Sequence, residues 1–537
     1  MKALSSKLVA LAALSATVAL LVCGLFRGDL NQDEGWYLYG ARLVAEGQTP
    51  YVDFATTQGP VMPYVYAVAH PLVDAFGVMG GRMFTVLLAM LCIAFTVGLA
   101  IRMANGLGRP ETVAAGVMTL CLLGVNGFQA YYFSVVKTYA LAGLLLGAGF
   151  WVLTALPRFP RGAPVLSGLL IMLAAGTRAS AGFALPPLFL IMLLADLHSR
   201  RCAVDEPNPV RNTWLWLFVG ATLTAVALFL PFFLLAPEAL WFAMVEYHAE
   251  REAGALMLTV AYKGGFVARC IQDYGVASMM IISLLVYTLH GKRKGTSCGK
   301  TFTVEKMAWW AVATISFVHF AAPFPYDDYQ VIVYPLLCAV LSVACVRIVC
   351  RCNRQWLQGA VLVVFLSSVA LAAASPVVHG WFLGPRDRIW WPLKAETPLS
   401  VLQETSRTIL DLHARAGGKA GGLILTQDPY IAVETGLALP PGFELGQFCY
   451  FPDWSTEKAA LCHVQNAHLF RQALAQTEAP VAALSGYALA IRCPEVLPID
   501  PNDAAELQKI VSERYTSVER VERFGQADTA LRLMIRH

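Results

Sequence analysis

Charge is scarce in this 537-residue sequence. Asp, Glu, Lys and Arg make up 14% of it, against roughly 25% in a soluble domain, which excludes an ordinary water-soluble fold. No basic block and no aromatic-interleaved basic patch occurs, so nucleic acid is excluded as a partner. The Gly-x-x-x-x-Gly-Lys-Ser/Thr loop is missing, and nothing else points to ATP hydrolysis. Internal repeats and low-complexity segments are absent. Transporters usually carry such repeats in two halves, which weighs against that alternative. The 13 cysteines lie mostly in apolar runs, as small hydrophobes. Only Cys449, Cys462 and Cys493 fall in the polar C-terminal part. If that part is extracytoplasmic, Cys449 and Cys462 are a candidate disulfide pair.

What is abundant is apolar sequence. A hydrophobic fraction of 57%, in repeated long runs, predicts a polytopic α-helical membrane protein. Lys2 and Lys7 precede the run Leu8–Phe26, which lacks a small-x-small cleavage site and reads as an uncleaved first span. Further spans are predicted at Phe84–Ile101, Val113–Val125, Tyr139–Leu156, Val165–Ala179, Ala184–Leu197, Trp214–Leu235, Val267–Leu289, Met307–Pro323, Val331–Val349 and Leu357–Ala374. That makes about eleven transmembrane helices. Basic residues gather on alternate connections, at Arg102, Arg109, Arg158, Arg161, Arg200, Arg201, Arg211, Lys292–Lys294, Lys300, Arg351 and Arg354. By the positive-inside rule the N-terminus is cytoplasmic. The connection after the first span is then outside, and with an odd helix number so is the C-terminal part.

From about Pro376 charges, Pro and Gly appear and the apolar runs stop. Residues 422–426 and Val481–Leu484 read as buried strands, and Val401–Ala416 and Ala504–Arg514 as amphipathic helices. The predicted organisation is a transmembrane domain, 1–375, with a first external loop at 27–82 carrying interfacial helices. A small extracytoplasmic α/β domain, 376–537, follows.

The stretch Asn31–Ala67 is organised unlike a spanning helix. Asp33 and Glu34 adjoin the aromatic and apolar run Trp36, Tyr37, Leu38, Tyr39. A solvated loop is the ordinary reading of such a pair; this context favours carboxylates beside a packed helix, which suits a general base. Trp36–Ala45 fits a helix lying on the membrane surface. Prolines at 60 and 63 would break a regular span, so Val61–Phe76 is predicted as a second interfacial helix.

Asp-Glu-x-x-Tyr at 33–37, Glu46-Gly47, Pro50-Tyr51-x-Asp53-Phe54 and Gln58-Gly59-Pro60 follow the first span in that order. The pattern resembles the first external loop of the GT-C superfamily of membrane glycosyltransferases. More narrowly it resembles the group of protein O-mannosyltransferases, the aminoarabinose lipid A transferase and bacterial relatives of unassigned substrate. The resemblance implies an inverting transferase in the bacterial cytoplasmic (inner) membrane. Such an enzyme moves a hexose or pentose from a polyprenyl-phosphate donor to an envelope acceptor (lipid, glycan or protein) on the outer face. It implies Asp33 as the base that deprotonates the acceptor, with Glu34 in support. Membrane lipid is the other partner, and no cofactor is required. One departure counts against lipid A as the acceptor: residues 55–60 lack the Lys that the lipid A transferase carries near its Pro pair. A transporter, or a non-catalytic protein of the same fold, are the alternatives.

The leaving phosphate needs cationic stabilisation, from side chains or from a divalent cation. Lys137 and Arg178 stand at outer helix ends and match basic positions of the family; snorkelling to lipid head groups is the other reading of each. His248 and Arg251, in the charged loop 246–252, are further phosphate candidates, against a merely solvated loop. No zinc-ligand spacing occurs there. Asp327 and Asp328, in Pro323–Tyr329, contact sugar hydroxyls or cap the next helix. Tyr37, Asp53, Gln58 and Tyr132 complete the candidate sugar- and acceptor-binding set.

Overall fold

The computed structural model describes residues 2–201, 211–249, 256–274, 304–351, 396–486, 489–526 and 529–537, with scattered positions between 359 and 373. The predicted span Leu357–Ala374 and the second half of Val267–Leu289 lie largely outside these residues. Among the described residues four segments are long and apolar enough to cross a membrane: Ser6–Arg27, Val78–Met103, Ala179–Arg201 and Thr213–Leu235. Shorter apolar helices cover Thr138–Leu153, Gly162–Thr177 and Tyr334–Cys350. Their outer faces expose large apolar side chains, such as Leu11, Leu223 and Phe233, as a lipid-facing surface does. The chain is a membrane protein.

Helix α1 (Lys2–Arg27) leads into α2 (Gln32–Ala45). The second helix begins four residues before the predicted Trp36. Asn31 accepts a hydrogen bond from the Asp33 amide at 3.1 Å, and the Glu34 carboxylate accepts one from the Asn31 amide at 3.0 Å. This capping box fixes the start of the helix and puts Asp33 in its first turn. The predicted second interfacial helix is two helices, α3 (Val61–Ala67) and α4 (His70–Phe76). Pro71 explains the correction. It has no N–H to give the Ala67 carbonyl, so it is tolerated only in a first turn.

Then come α5 (Val78–Met103), α6 (Arg109–Gly124), the short α7 (Gly127–Tyr132), α8 (Thr138–Leu153), α9 (Gly162–Thr177), α10 (Leu185–Arg201), α11 (Thr213–Leu235) and α12 (Pro237–Trp241). Small residues let α9 and α11 approach closely. A Cβ on Gly168 would stand 2.3 Å from the Leu217 carbonyl oxygen, and one on Gly220 would stand 2.1 Å from that of Val165. Such contact between backbones is how helices pack where lipid supplies no hydrophobic drive. The helices Leu256–Asp273, Val304–Ala321 and Tyr334–Arg351 complete the described membrane part.

The C-terminal part holds a four-stranded sheet in the order β1 (Ile424–Thr426), β2 (Val481–Leu484), β6 (Thr529–Arg536), β5 (Tyr515–Phe524). Strands β1 and β2 are parallel, with Leu425 opposite Ala482, and are buried throughout, as parallel strands are. The others pair antiparallel. Cys449 and Cys462 are both free and buried, which corrects the disulfide expectation.

This α/β unit grips α2. The Leu439 amide donates to the Tyr39 hydroxyl oxygen at 2.9 Å, and Arg42 donates to the Leu437 carbonyl at 3.0 Å. The Val78 amide donates to Glu434 at 2.8 Å. Gly35 faces the chain at Tyr430 so closely that a Cβ would lie 2.4 Å from the Tyr430 nitrogen.

Candidate active site

Two adjacent carboxylates of α2 have opposite surroundings. The Glu34 side chain is 0% exposed and paired with Arg82, also 0% exposed. Arg82 donates Nε to Glu34 Oε1 at 2.7 Å and Nη2 to Oε2 at 2.6 Å. Its remaining donors reach the carbonyls of Leu25, Gly28 and Asp29. A guanidinium has five N–H groups, and these contacts engage all five. They also satisfy carbonyls at the end of α1. Glu34 Oε1 in addition accepts from the Val136 amide at 3.1 Å. The pair therefore ties α1, α2, α5 and the turn before α8 together. This corrects the catalytic expectation for Glu34: its oxygens are committed and it does not line the cavity.

Asp33, one residue earlier, is 26% exposed at its side chain and opens on a cavity of about 600 Å³. Its Oδ2 lies 3.2 Å from Lys137 Nζ. Lys137 has extended backbone at the start of α8, one residue past the amide that Glu34 holds. Its ammonium also contacts Asp328 Oδ2 at 3.1 Å, an oxygen that accepts the Tyr139 hydroxyl at 2.7 Å. Burial alone would lower the Lys137 pKa, but Asp33 and Asp328 hold it well above the usual value. Burial would raise that of Asp328, yet Lys137, the Tyr139 hydroxyl and Arg178 keep it below the ordinary carboxylate range. Both groups are charged in this arrangement.

Arg178 caps the end of α9 in extended conformation. Its guanidinium lies between the rings of Tyr139 and Tyr329, 4.8 and 4.6 Å from their centroids. One nitrogen donates to Thr138 Oγ1 at 3.3 Å, and Nε is buried without a hydrogen-bond partner. Asp328, whose charge also acts on Arg178, is engaged by Lys137. His248 Nε2 lies 2.9 Å from the Thr57 carbonyl. That oxygen can only accept, so the nitrogen carries the proton.

Of the residues predicted from sequence, Asp33, Tyr37, Gln58, Tyr132, Lys137, Arg178, His248 and Asp328 all line this one cavity. Asp53 does not: its carboxylate accepts from the Thr49 amide at 2.7 Å and shapes an exposed turn. Asp327 does not either, because Arg269 holds it at 2.8 Å, away from the cavity. Neither Asp327 nor Asp328 caps the turn they begin. Arg251 lies outside the described residues. Sequence reasoning missed Tyr139, Ser180, His319 and Tyr329, and Phe448, Val496 and Gln526 from the α/β unit. Tyr139 and Tyr329 stand near residues already singled out; the last three carry no local signal. Among the described residues no three His, Cys, Asp or Glu side chains converge as metal ligands.

No protein-family model matches the chain, and no curated protein does. Solved structures match over nearly its whole length. ArnT from Cupriavidus metallidurans in the apo state superposes with a TM-score of 0.61 at 16% identity, covering 97% of each chain. The same enzyme bound to undecaprenyl phosphate gives 0.60 at 15%, again over 97% of each. An oligosaccharyltransferase from Archaeoglobus fulgidus, complexed with Zn and sulfate, gives 0.53 at 12%, over 96% of this chain and 72% of that one. The chain has the GT-C fold. At these identities the likeness is one of architecture, and it includes the C-terminal unit within the coverage. In this GT-C fold the acidic first turn of α2, Lys137 at the start of α8 and Arg178 at the end of α9 meet in one cavity.

Proposed function

We propose that the chain is an inverting glycosyltransferase that uses a polyprenyl-phosphate-linked sugar and acts at the outer face of the bacterial inner membrane. The observation that carries this is the convergence of Asp33, Lys137, Arg178, His248 and Asp328, from separate elements, on one cavity of a GT-C fold. The ArnT structure with undecaprenyl phosphate supports a polyprenyl phosphate as the donor's carrier. The topology that fits has the N-terminus cytoplasmic and the α/β unit outside, as the basic-residue pattern implies.

The chemistry follows from the charges. An acceptor hydroxyl attacks the anomeric carbon from the face opposite the phosphate, and the C–O bond to phosphate breaks. Asp33 takes the hydroxyl proton. Arg178, whose guanidinium has donor capacity in hand, receives the phosphate oxygens as negative charge develops on them; His248, its Nε2 proton held by the Thr57 carbonyl, lines the same cavity. Lys137 holds Asp33 in place and keeps Asp328 ionised, and Asp328 and Gln58 are placed to contact sugar hydroxyls. The acceptor is an envelope lipid, glycan or protein.

Asp33→Asn tests the assignment, in detergent, with labelled sugar on a polyprenyl-phosphate donor. Turnover should fall by a factor of about 100 to 10,000, and turnover equal to wild type refutes Asp33 as the base. Chelator added to the same assay decides between side chains and a divalent cation as the phosphate's counter-charge.

A further inference from the structure

One side of the cavity has a different chemistry from the phosphate side. It is built by α2 and by the α/β unit: Gln32, Trp36, Phe448, Val496 and Gln526. None of these carries a charge. Trp36 stands one helical turn from Asp33, on the same face. Its ring meets that of Phe448 edge-on, with centroids 5.3 Å apart and planes at 67°. The Gln526 side-chain oxygen accepts from the Gln32 amide at 2.9 Å, which fixes the amide end beside the first turn of α2.

Two features of the α/β unit exist to present this wall. Phe448 lies on the turn Gly446–Cys449, which is joined to the hairpin of β3 (Ile491–Arg492) and β4 (Leu497–Pro498) through the Tyr450 and Arg492 backbones. Val496, at the tip of that hairpin, has φ +60°. A β-branched residue in the left-handed region is a strained outlier, and such strain gathers at ligand sites.

We infer that this wall is an acceptor subsite for a neutral saccharide, a reading that rests on the proposed glycosyl transfer. Aromatic edges and faces fit the apolar C–H faces of a sugar ring. A primary amide both donates and accepts, as a hydroxyl does, so a Gln side chain pairs with sugar hydroxyls of either sense. Among the described residues, an acceptor bearing phosphate or carboxylate finds no cation on this wall. A saccharide lying on Trp36 and Phe448 points a hydroxyl at Asp33, and the bond it forms is a glycosidic one.

Binding tests the inference apart from turnover. The purified full chain in nanodiscs is titrated by saturation-transfer NMR with methyl α- and β-hexosides, a Ser/Thr peptide and a bis-phosphorylated glucosamine disaccharide. Methyl glycosides bind in the millimolar range, and Phe448→Ala and Gln526→Ala each weaken them about fivefold. Phe448→Trp restores affinity. Gln526 is exposed, so its variant keeps the wild-type melting temperature even if Phe448→Ala does not. Binding of the peptide or the phosphorylated disaccharide in place of the glycosides overturns the inference. So does an affinity indifferent to both variants, and so does the lack of any glycoside binding. Glycoside binding without sugar transfer in the donor assay would instead refute the transferase reading and leave the subsite. Transfer onto peptide would do the reverse.

Discussion

Replacing Glu34 by Ala should loosen the end of the membrane domain that carries α2, with loss of activity as a by-product. The Arg82 guanidinium would keep the carbonyls of Leu25, Gly28 and Asp29 but lose its counter-charge at full burial. Removing one partner of a buried pair destabilises by about 3–5 kcal/mol. Arg82→Met is the more damaging change. It strands the Glu34 carboxylate with the Asn31 and Val136 amides alone, and it frees three carbonyls at about 1–3 kcal/mol for each one left unsatisfied. The pair replaced together, Glu34→Leu with Arg82→Met, removes the charge problem and leaves the orphaned backbone groups. Its stability should therefore fall between wild type and Arg82→Met. Heating the solubilised protein and counting the monodisperse fraction by size exclusion gives the order. Hydrogen exchange at the Asn31 and Val136 amides should quicken in Glu34→Ala, which removes their acceptor. A Glu34→Ala protein that melts with wild type yet transfers no sugar would refute this reasoning and return Glu34 to the chemistry.

Two further outcomes follow from the site and from the α/β unit. Arg178→Ala should lower turnover by about 100- to 1,000-fold, with Arg178→Lys recovering part of it, since a lysine keeps the charge but not the planar stack between Tyr139 and Tyr329; equal rates for all three would remove Arg178 from the phosphate site. Burial pushes the Asp428 carboxyl up to about 6, so the folded α/β unit binds a proton that the unfolded chain releases near pH 4. Its stabilising effect is complete below about pH 4 and is lost as pH rises through 6, a change on the order of 2–3 kcal/mol. Burial also pushes the Glu444 carboxyl up, to about 7, so melting between pH 4 and 8 should show a decline to which both contribute, and Asp428→Asn should remove the part centred between pH 4 and 6.

The four described segments long enough to span a membrane and the Asp33 cavity were legible in the sequence because each rests on a local signal. Long apolar runs mark the helices, and acidic or basic residues at helix ends mark the site. What escaped was set by partners far along the chain. Nothing near Glu34 distinguishes it from Asp33; Arg82, 48 positions away, decides that one is buried and the other is not. Asp327 and Asp328 divide in the same way, between Arg269 and Lys137. The hairpin β5–β6 gave no alternating pattern because its register shifts between Ser517 and Glu519 and again between Val521 and Phe524. Each shift breaks the period of two that marks a strand. Phe448, Val496 and Gln526 reach the cavity only through tertiary docking.

The ammonium shared by Asp33 and Asp328 has a consequence for selectivity. Among the described residues the formally charged side chains that line the cavity are Asp33, Asp328, Lys137 and Arg178, two of each sign, and they cancel. Such a cavity projects little field into the surrounding membrane, so abundant anionic lipids are not drawn to it from a distance. On the proposed reading, a phosphate would be held only once it arrives at Arg178 itself. Discrimination then lies in contact geometry, and the affinity for an anionic head group should change little with ionic strength.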